Sequence, residues 1–162
     1  MTLYSYCESP IGELLLTGER DRISGLYFST GSKARGADPE WEHQDKPFRK
    51  ARRQIEEYFA GDRREFDLVL APHGTEFQLD VLNALLKIPY GETCTYAEVA
   101  ESVGRPKAAR AVGMANSRNP IALIIPCHRV IGSNGTLTGF GGGLRAKRYL
   151  LEHEFAHSGL FA

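Results

Sequence analysis

The chain has 162 residues and a mass of 18.0 kDa, which suits one generous domain or two small ones sharing a surface. Apolar residues make up 42% and charged residues 25%; that balance excludes disorder as the main state, and the longest apolar run, Ile121 to Ile125, is too short to cross a bilayer. With 20 basic and 20 acidic side chains the total charge cancels, so overall charge gives no reason to expect a nucleic-acid partner.

Met1 to Pro10 lacks the basic start and apolar centre of a secretory signal. Leu14 to Thr17 and Ile23 to Phe28 are short apolar segments around the polar stretch Gly18 to Arg22, and together they predict a β-hairpin. Residues 29–46, rich in Ser, Gly, Lys, Asp and Pro, predict a loop. A helix is predicted from about Pro47 to Ala60: Pro47 suits its first turn, Gly61 its end, and Phe48, Ala51, Ile55 and Tyr58 form one apolar stripe. Phe66 to Leu70 predicts another strand. Ala71-Pro72-His73-Gly74 predicts a boundary between a domain of residues 1–73 and a domain of residues 74–162. The first carries 11 basic and 13 acidic groups, net −2, and the second 9 and 7, net +2.

The second half is helical in pattern. Thr75 with Gln78 forms a capping box, and Phe77, Val81 and Leu85 line one face behind it until Pro89-Tyr90-Gly91 stops the helix. Thr95 with Glu98 is a second capping box, followed by Tyr96, Val99, Ala100 and Val103 at helical spacing. Gly104 breaks the chain, and Pro106 starts a helix to about Asn116 with Ala108, Ala111, Val112 and Ala115 inward. Helix, short turn, helix over about residues 95–117 predicts a helix-turn-helix. The expected fold class is α+β: a small N-terminal α/β domain with an antiparallel sheet, then a mostly helical C-terminal domain.

Gly104 to Asn119 carries Arg105, Lys107, Arg110 and Arg118 and no acid, which fits a phosphate-binding strip or simply a solvated face. Opposite the inward stripe lie Arg110, Gly113 and Ser117. One long side chain between small residues points to a wedge or minor-groove finger rather than a code for base edges. A surface Arg on an ordinary helix pair is the alternative.

Ile121 to Arg129 delivers an apolar run to Pro126-Cys127-His128-Arg129. A thiol beside His128 and Arg129 is set where its pKa can be lowered toward the nucleophilic thiolate, provided a turn or a bridging water lets the neighbours communicate. A buried structural cysteine is the alternative. Leu144, Leu150, Leu151 and Phe155 mark the apolar arc of a C-terminal helix, with Glu154 inside it. An acid there needs a partner, and His128 is the natural one; Glu154 fraying outward near the helix end is the alternative. Cys7, His43 and His73 lack ligand spacing, so no metal and no cofactor are expected. Three cysteines, odd in number, suit a reducing cytoplasm.

Pro126-Cys127-His128-Arg129-Val130, with Asn119-Pro120 before it and Gly141-Gly142-Gly143-Leu144 after it, resembles the methylated-DNA–protein-cysteine methyltransferases, the O6-alkylguanine-DNA alkyltransferases. So do Ile88-Pro89-Tyr90-Gly91-Glu92-Thr93, Thr95-Tyr96 and Ala108-Ala109-Arg110-Ala111-Val112-Gly113. The resemblance covers residues 75 to about 155 and extends weakly over the first third, at Ser9-Pro10-Ile11-Gly12 and Tyr58-Phe59-Ala60-Gly61. It implies repair of duplex DNA by a single irreversible alkyl transfer from O6-alkylguanine to Cys127, with activity on O4-methylthymine left open. It implies too that His128, acting through a water and held by Glu154, takes the thiol proton, that Asn119 shapes the active-site turn and that Tyr96 donates to the flipped base. Ala109, Arg110, Gly113 and Ser117 are the implied DNA-facing residues, with Arg110 filling the gap in the duplex. Tyr96, Val130, Phe140, Gly141 and Gly142 are the implied base pocket, with the carbonyls of Cys127 and Val130 toward the guanine amino group and the amide of Gly141 toward O6. A monomer on double-stranded DNA is expected, away from membranes, with cooperative loading left open.

Phe140 and Gly141 replace a Tyr and a Ser of some relatives, Leu82 replaces a Trp common in bacterial ones, and no N-terminal zinc ligands match. Two rivals stay open at this stage, a Cys–His hydrolase and a helix-turn-helix regulator with an incidental thiol. A lesion binder lacking the acceptor is disfavoured because Cys127 is present.

Overall fold

The computed structural model describes residues 1–31, 34–137, 140 and 143–159. Its N-terminal half is a four-stranded sheet in the order β3-β2-β1-β4, formed by β1 (Leu3–Cys7), β2 (Leu14–Glu19), β3 (Arg22–Phe28) and β4 (Glu42–His43). The predicted hairpin is β2–β3, antiparallel with an irregularity between Thr17 and Gly18. A Cβ on Gly18 would lie 2.1 Å from the carbonyl oxygen of Arg22, so the tight turn admits only glycine. β1 was not predicted: it alternates Leu3, Ser5 and Cys7 inward with Tyr4 and Tyr6 half-exposed, and its buried Ser5 breaks the apolar signal. β4 lies inside the predicted loop 29–46 and joins β1 in parallel; two residues carry no readable period. Phe66–Leu70 is not a strand. It is an extended segment that meets β3 only at Ile23, through Ile23 N to Val69 O at 2.9 Å and Ala71 N to Ile23 O at 2.8 Å.

A 3-10 turn over Lys46–Phe48 leads into α1 (Arg49–Phe59). The predicted stripe of Phe48, Ala51, Ile55 and Tyr58 is buried, and so is Gln54, whose amide exchanges hydrogen bonds with the backbone of Asp67. Both capping boxes form, on α2 (Glu76–Leu85) and α3 (Tyr96–Ser102). Between these helices β5 (Cys94–Thr95) pairs in parallel with β6 (Val130–Ile131).

α4 (Ala109–Ser117) begins three residues after Pro106, because the chain first closes a turn from Arg105 O to Ala108 N at 2.9 Å. Val112 and Ala115 face inward as predicted. Ala111 does not; it is exposed, and Asn116 takes the inward place. α5 (Leu144–His157) is also rotated from its expected arc. Leu144 and Phe155 are exposed at 51% and 77%, and the inner face is Ala146, Lys147, Leu150, His153 and Glu154.

One apolar core runs through both halves, from Leu16, Leu26 and Phe28 through Ile55 and Leu85 to Ile121–Ile125. Leu26 N donates to Pro120 O at 2.8 Å, and the rings of Phe28 and Phe140 lie 5.2 Å apart. Leu82, at 2% exposure, packs in this core. No helix among the described residues is long and apolar enough to cross a membrane.

Candidate functional site

The apolar run predicted to deliver Cys127 does so through a tight, strained turn. Ile125 N bonds back to Ile121 O at 2.9 Å, and Leu123 holds φ at 72°, in the left-handed region a branched side chain rarely enters. Asn119 braces the turn at both ends: its Nδ2 donates to Ile125 O at 2.8 Å and its Oδ1 accepts from Ile121 N at 3.0 Å. Pro126 then caps a single 3-10 turn, Cys127–Arg129. That turn supplies what an extended chain lacks, because it carries three consecutive side chains into the interior. Cys127 is 4% exposed, His128 0% and Arg129 7%.

Glu154 on α5 collects this turn. Its Oε2 accepts from His128 Nε2 at 2.7 Å, Arg129 NH2 at 3.0 Å and the Tyr58 phenol at 2.7 Å. Its Oε1 accepts from Arg129 Nε at 2.8 Å and from the Gly91 amide at 3.4 Å. Arg129 also donates to Ile88 O at 2.7 Å. Burial by itself would raise the Glu154 pKa, but the hydrogen bond from His128 and then the hydrogen bonds and charge of Arg129 hold it well below the usual carboxylate range. Glu154 is therefore ionised.

An ionised acceptor on Nε2 fixes the tautomer of His128. The proton sits on Nε2, and Nδ1 is left as the ring's acceptor. Burial lowers the His128 pKa against the pull of Glu154, so the ring is neutral and can take a proton. Nδ1 is buried with no hydrogen-bond partner among the described residues.

The thiol departs from expectation. Burial raises the Cys127 pKa above its ordinary value, although the Asn119 side chain, the Lys147 charge and the Leu123 amide all oppose this. The resting group is the thiol rather than the thiolate, next to a neutral base. Lys147 reaches the turn from α5, fully buried, with Nζ donating to Val130 O at 2.6 Å. Burial brings its pKa down to about 8.

The structure brings Cys127, His128, Glu154 and Asn119 together. The Cys127 carbonyl, expected to face the guanine amino group, accepts from Asn116 Nδ2 at 3.3 Å, and the Val130 carbonyl accepts from Lys147; each oxygen retains a second lone pair. Tyr96 opens α3, half-buried, with its ring beside α4: a Cβ on Gly113 would stand 3.7 Å from it. Phe140 is 7% exposed and leans on Phe28. Gly141 and Gly142 lie outside the described residues. On α4 Arg110 is exposed and Ala109, Gly113 and Ser117 are half-buried, while Met114 adds an unforeseen apolar side chain at 55% exposure. Of the local basic strip, Arg105 is spent on the Phe77 ring at 5.4 Å.

Asn116, Lys147 and Tyr58 were missed as site residues. A signal existed for two. Asn116 follows Val112 by four on the inward stripe, and Lys147 precedes Leu150 by three and Glu154 by seven, on the same face. Among the described residues no group of three or more His, Cys, Asp or Glu stands close enough to hold a metal.

The DNA-binding domain of 6-O-methylguanine DNA methyltransferase matches residues 76–156, and that enzyme's ribonuclease-like domain matches residues 2–72. The chain belongs to the methylated-DNA–protein-cysteine methyltransferase family. A family member of that name from Methanosarcina acetivorans is 54% identical over 93% of this chain and 97% of its own. One from Mycobacterium leprae is 52% identical over 91% and 88%. The crystal structure of Mycobacterium tuberculosis O6-methylguanine methyltransferase superposes with a TM-score of 0.90 at 46% identity, covering 99% of this chain and 96% of that one. The Mycobacterium tuberculosis protein solved in complex with DNA also gives 0.90, at 47% identity over 96% and 94%. Transfer of a methyl group from methylated DNA to a protein cysteine is the activity of this chain.

Proposed function

We propose that Cys127 is the acceptor, and that it receives the alkyl group of O6-alkylguanine in duplex DNA once and permanently. A methyl on O6 is out of reach inside stacked DNA, so the nucleotide leaves the helix at a cost of roughly a few kcal/mol. The exposed Arg110 on α4, beside small Ala109, Gly113 and Ser117, fills the place it vacates. DNA as the partner is supported by the relative solved in complex with DNA, and a monomer suffices for this reading. The residues named stand on a helical unit, 74–162, that we take as the DNA-binding domain behind a smaller domain, 1–73.

At the thiol, the proton passes through a water from Sγ to His128 Nδ1, and ionised Glu154 stabilises the imidazolium that results. Sulfur then attacks the alkyl carbon in line. A C–S bond forms, the C–O6 bond breaks, and its electron pair returns to the purine, which takes a proton from the Tyr96 phenol. Val130 and Phe140 line the base's side of this event. The product is a thioether, which water does not reverse, so each molecule acts once. Cys7, Cys94 and Cys127 are all unpaired, which supports a reducing compartment such as the cytoplasm.

The observation that carries the reading is the hydrogen bond of His128 Nε2 to Glu154, which leaves Nδ1, the ring's acceptor, without a protein partner among the described residues. Intact-protein mass after mixing with a duplex containing O6-methylguanine, followed by peptide mapping, is expected to place one CH₂ on Cys127 and none on Cys127→Ser. An adduct elsewhere, or product beyond one equivalent, defeats it.

A further inference from the structure

We infer that Tyr58, on α1 in the N-terminal half, is a positioning residue of this proton relay: its phenol donates to Glu154 Oε2, the same oxygen that accepts from His128 Nε2, each at 2.7 Å. The inference rests on the Cys127–His128–Glu154 reading above and extends it across the molecule, since Tyr58 and Glu154 are 96 positions apart.

The phenol is built into its place. Tyr58 is fully buried, its ring is 5.6 Å from Phe66 and 5.2 Å from His153, and its carbonyl oxygen lies 2.8 Å from His153 Nε2. Burial and then the Glu154 charge push its pKa far up, so the hydroxyl stays a donor at every working pH. A structural tyrosine could end on any backbone carbonyl. This one ends on the oxygen whose charge sets the basicity of His128.

The consequence has a sign. An O–H dipole aimed at Oε2 draws off part of the negative potential felt by the imidazole. Removing it leaves Oε2 to His128 and Arg129, and the imidazolium is then better stabilised. The other groups facing this cluster are Arg129 from the 3-10 turn, Lys147 and His153 from α5, Tyr90 from the turn after α2, and Cys127 itself. Tyr58→Phe changes none of them, and it keeps the ring that packs the core.

The test is single-turnover transfer from an O6-methylguanine duplex over roughly pH 5 to 9, the range in which His titrates, for the full chain, Tyr58→Phe and Glu154→Gln. Proton-bound His128 cannot serve as base, so the rate falls on the acid side. Tyr58→Phe is expected to move that acid limb upward by about 0.5–1 pH unit, the size of one ordinary hydrogen bond, with no loss of rate on the plateau. Glu154→Gln is expected to move the limb the opposite way. The His128 ring titration followed by NMR gives the same two directions without any turnover. An unmoved limb and an unmoved ring titration in Tyr58→Phe overturn the positioning role, whatever happens to stability. If only Tyr58→Phe is silent, the relay stands and this inference falls. If Glu154→Gln is silent as well, the relay falls with it.

Discussion

Glu154→Gln separates what this carboxylate does for the fold from what it does for the reaction. The replacement keeps the shape but swaps one acceptor oxygen for an amide that must face donors: Tyr58, His128 and Arg129 all point N–H or O–H groups at this position. Arg129, only 7% exposed, loses its counter-charge. Leaving a buried cation unpaired costs about 3–5 kcal/mol, which for a chain of this length lowers the melting temperature by roughly 6–20 °C. The reaction loses a different quantity. The imidazolium that forms after the thiol gives up its proton has a charge-assisted hydrogen bond worth about 1.5–3 kcal/mol, so alkylation slows about ten- to a hundredfold. Urea titration and single-turnover transfer, measured where both forms are fully folded, read the two losses. Adding Arg129→Met to Glu154→Gln removes the orphaned charge and is expected to restore much of the stability but none of the rate. The acid side supplies a further check. The folded pKa of Glu154 lies below its ordinary 4.5, so its stabilisation is complete above about pH 4.5 and is lost as the pH falls toward the folded value; the gap between the two proteins narrows in acid. Equal stability and equal rates, with an unchanged thiol pKa, would refute the relay.

Two more expectations concern the surroundings. Arg110→Ala is expected to slow repair of duplex DNA about tenfold or more, the size of one lost charged contact, while free O6-benzylguanine reacts at an unchanged rate; equal slowing on both in parallel assays contradicts an extrusion role. Lys147 has a folded pKa of about 8 against an ordinary 10.5, so the unfolded chain binds more protons between those values and stability rises with pH across them. Lys147→Gln is expected to lose that rise in urea titrations from pH 8 upward, and to react more slowly with iodoacetamide at Cys127.

How much of this was legible depended on how local each signal was. Both capping boxes and the α1 stripe formed as read, because each is settled within one helix turn. β4 and the bridge at Leu70 were not, since a pair of residues joined to a distant strand has no periodicity of its own. Glu154 was legible as an acid inside an apolar arc, although the arc itself was misplaced: Phe155 and Leu144 are exposed and Lys147 is buried. The protonation state of Cys127 was the deeper error. His128 and Arg129 beside it in sequence suggested a depressed pKa, yet the turn spends both on Glu154 and buries the sulfur. Tyr58 was read correctly as core, and nothing in its neighbours discloses that the ring carries its hydroxyl to a carboxylate near the other end of the chain.

The seam between sheet and helices has a consequence for variation among descendants of this chain. Phe28 leans on Phe140, and Leu26 hydrogen-bonds Pro120, the residue beside the Asn119 brace. A change in β3 therefore reaches Phe140 and the Asn119 brace of the Cys127 turn through mechanical fit.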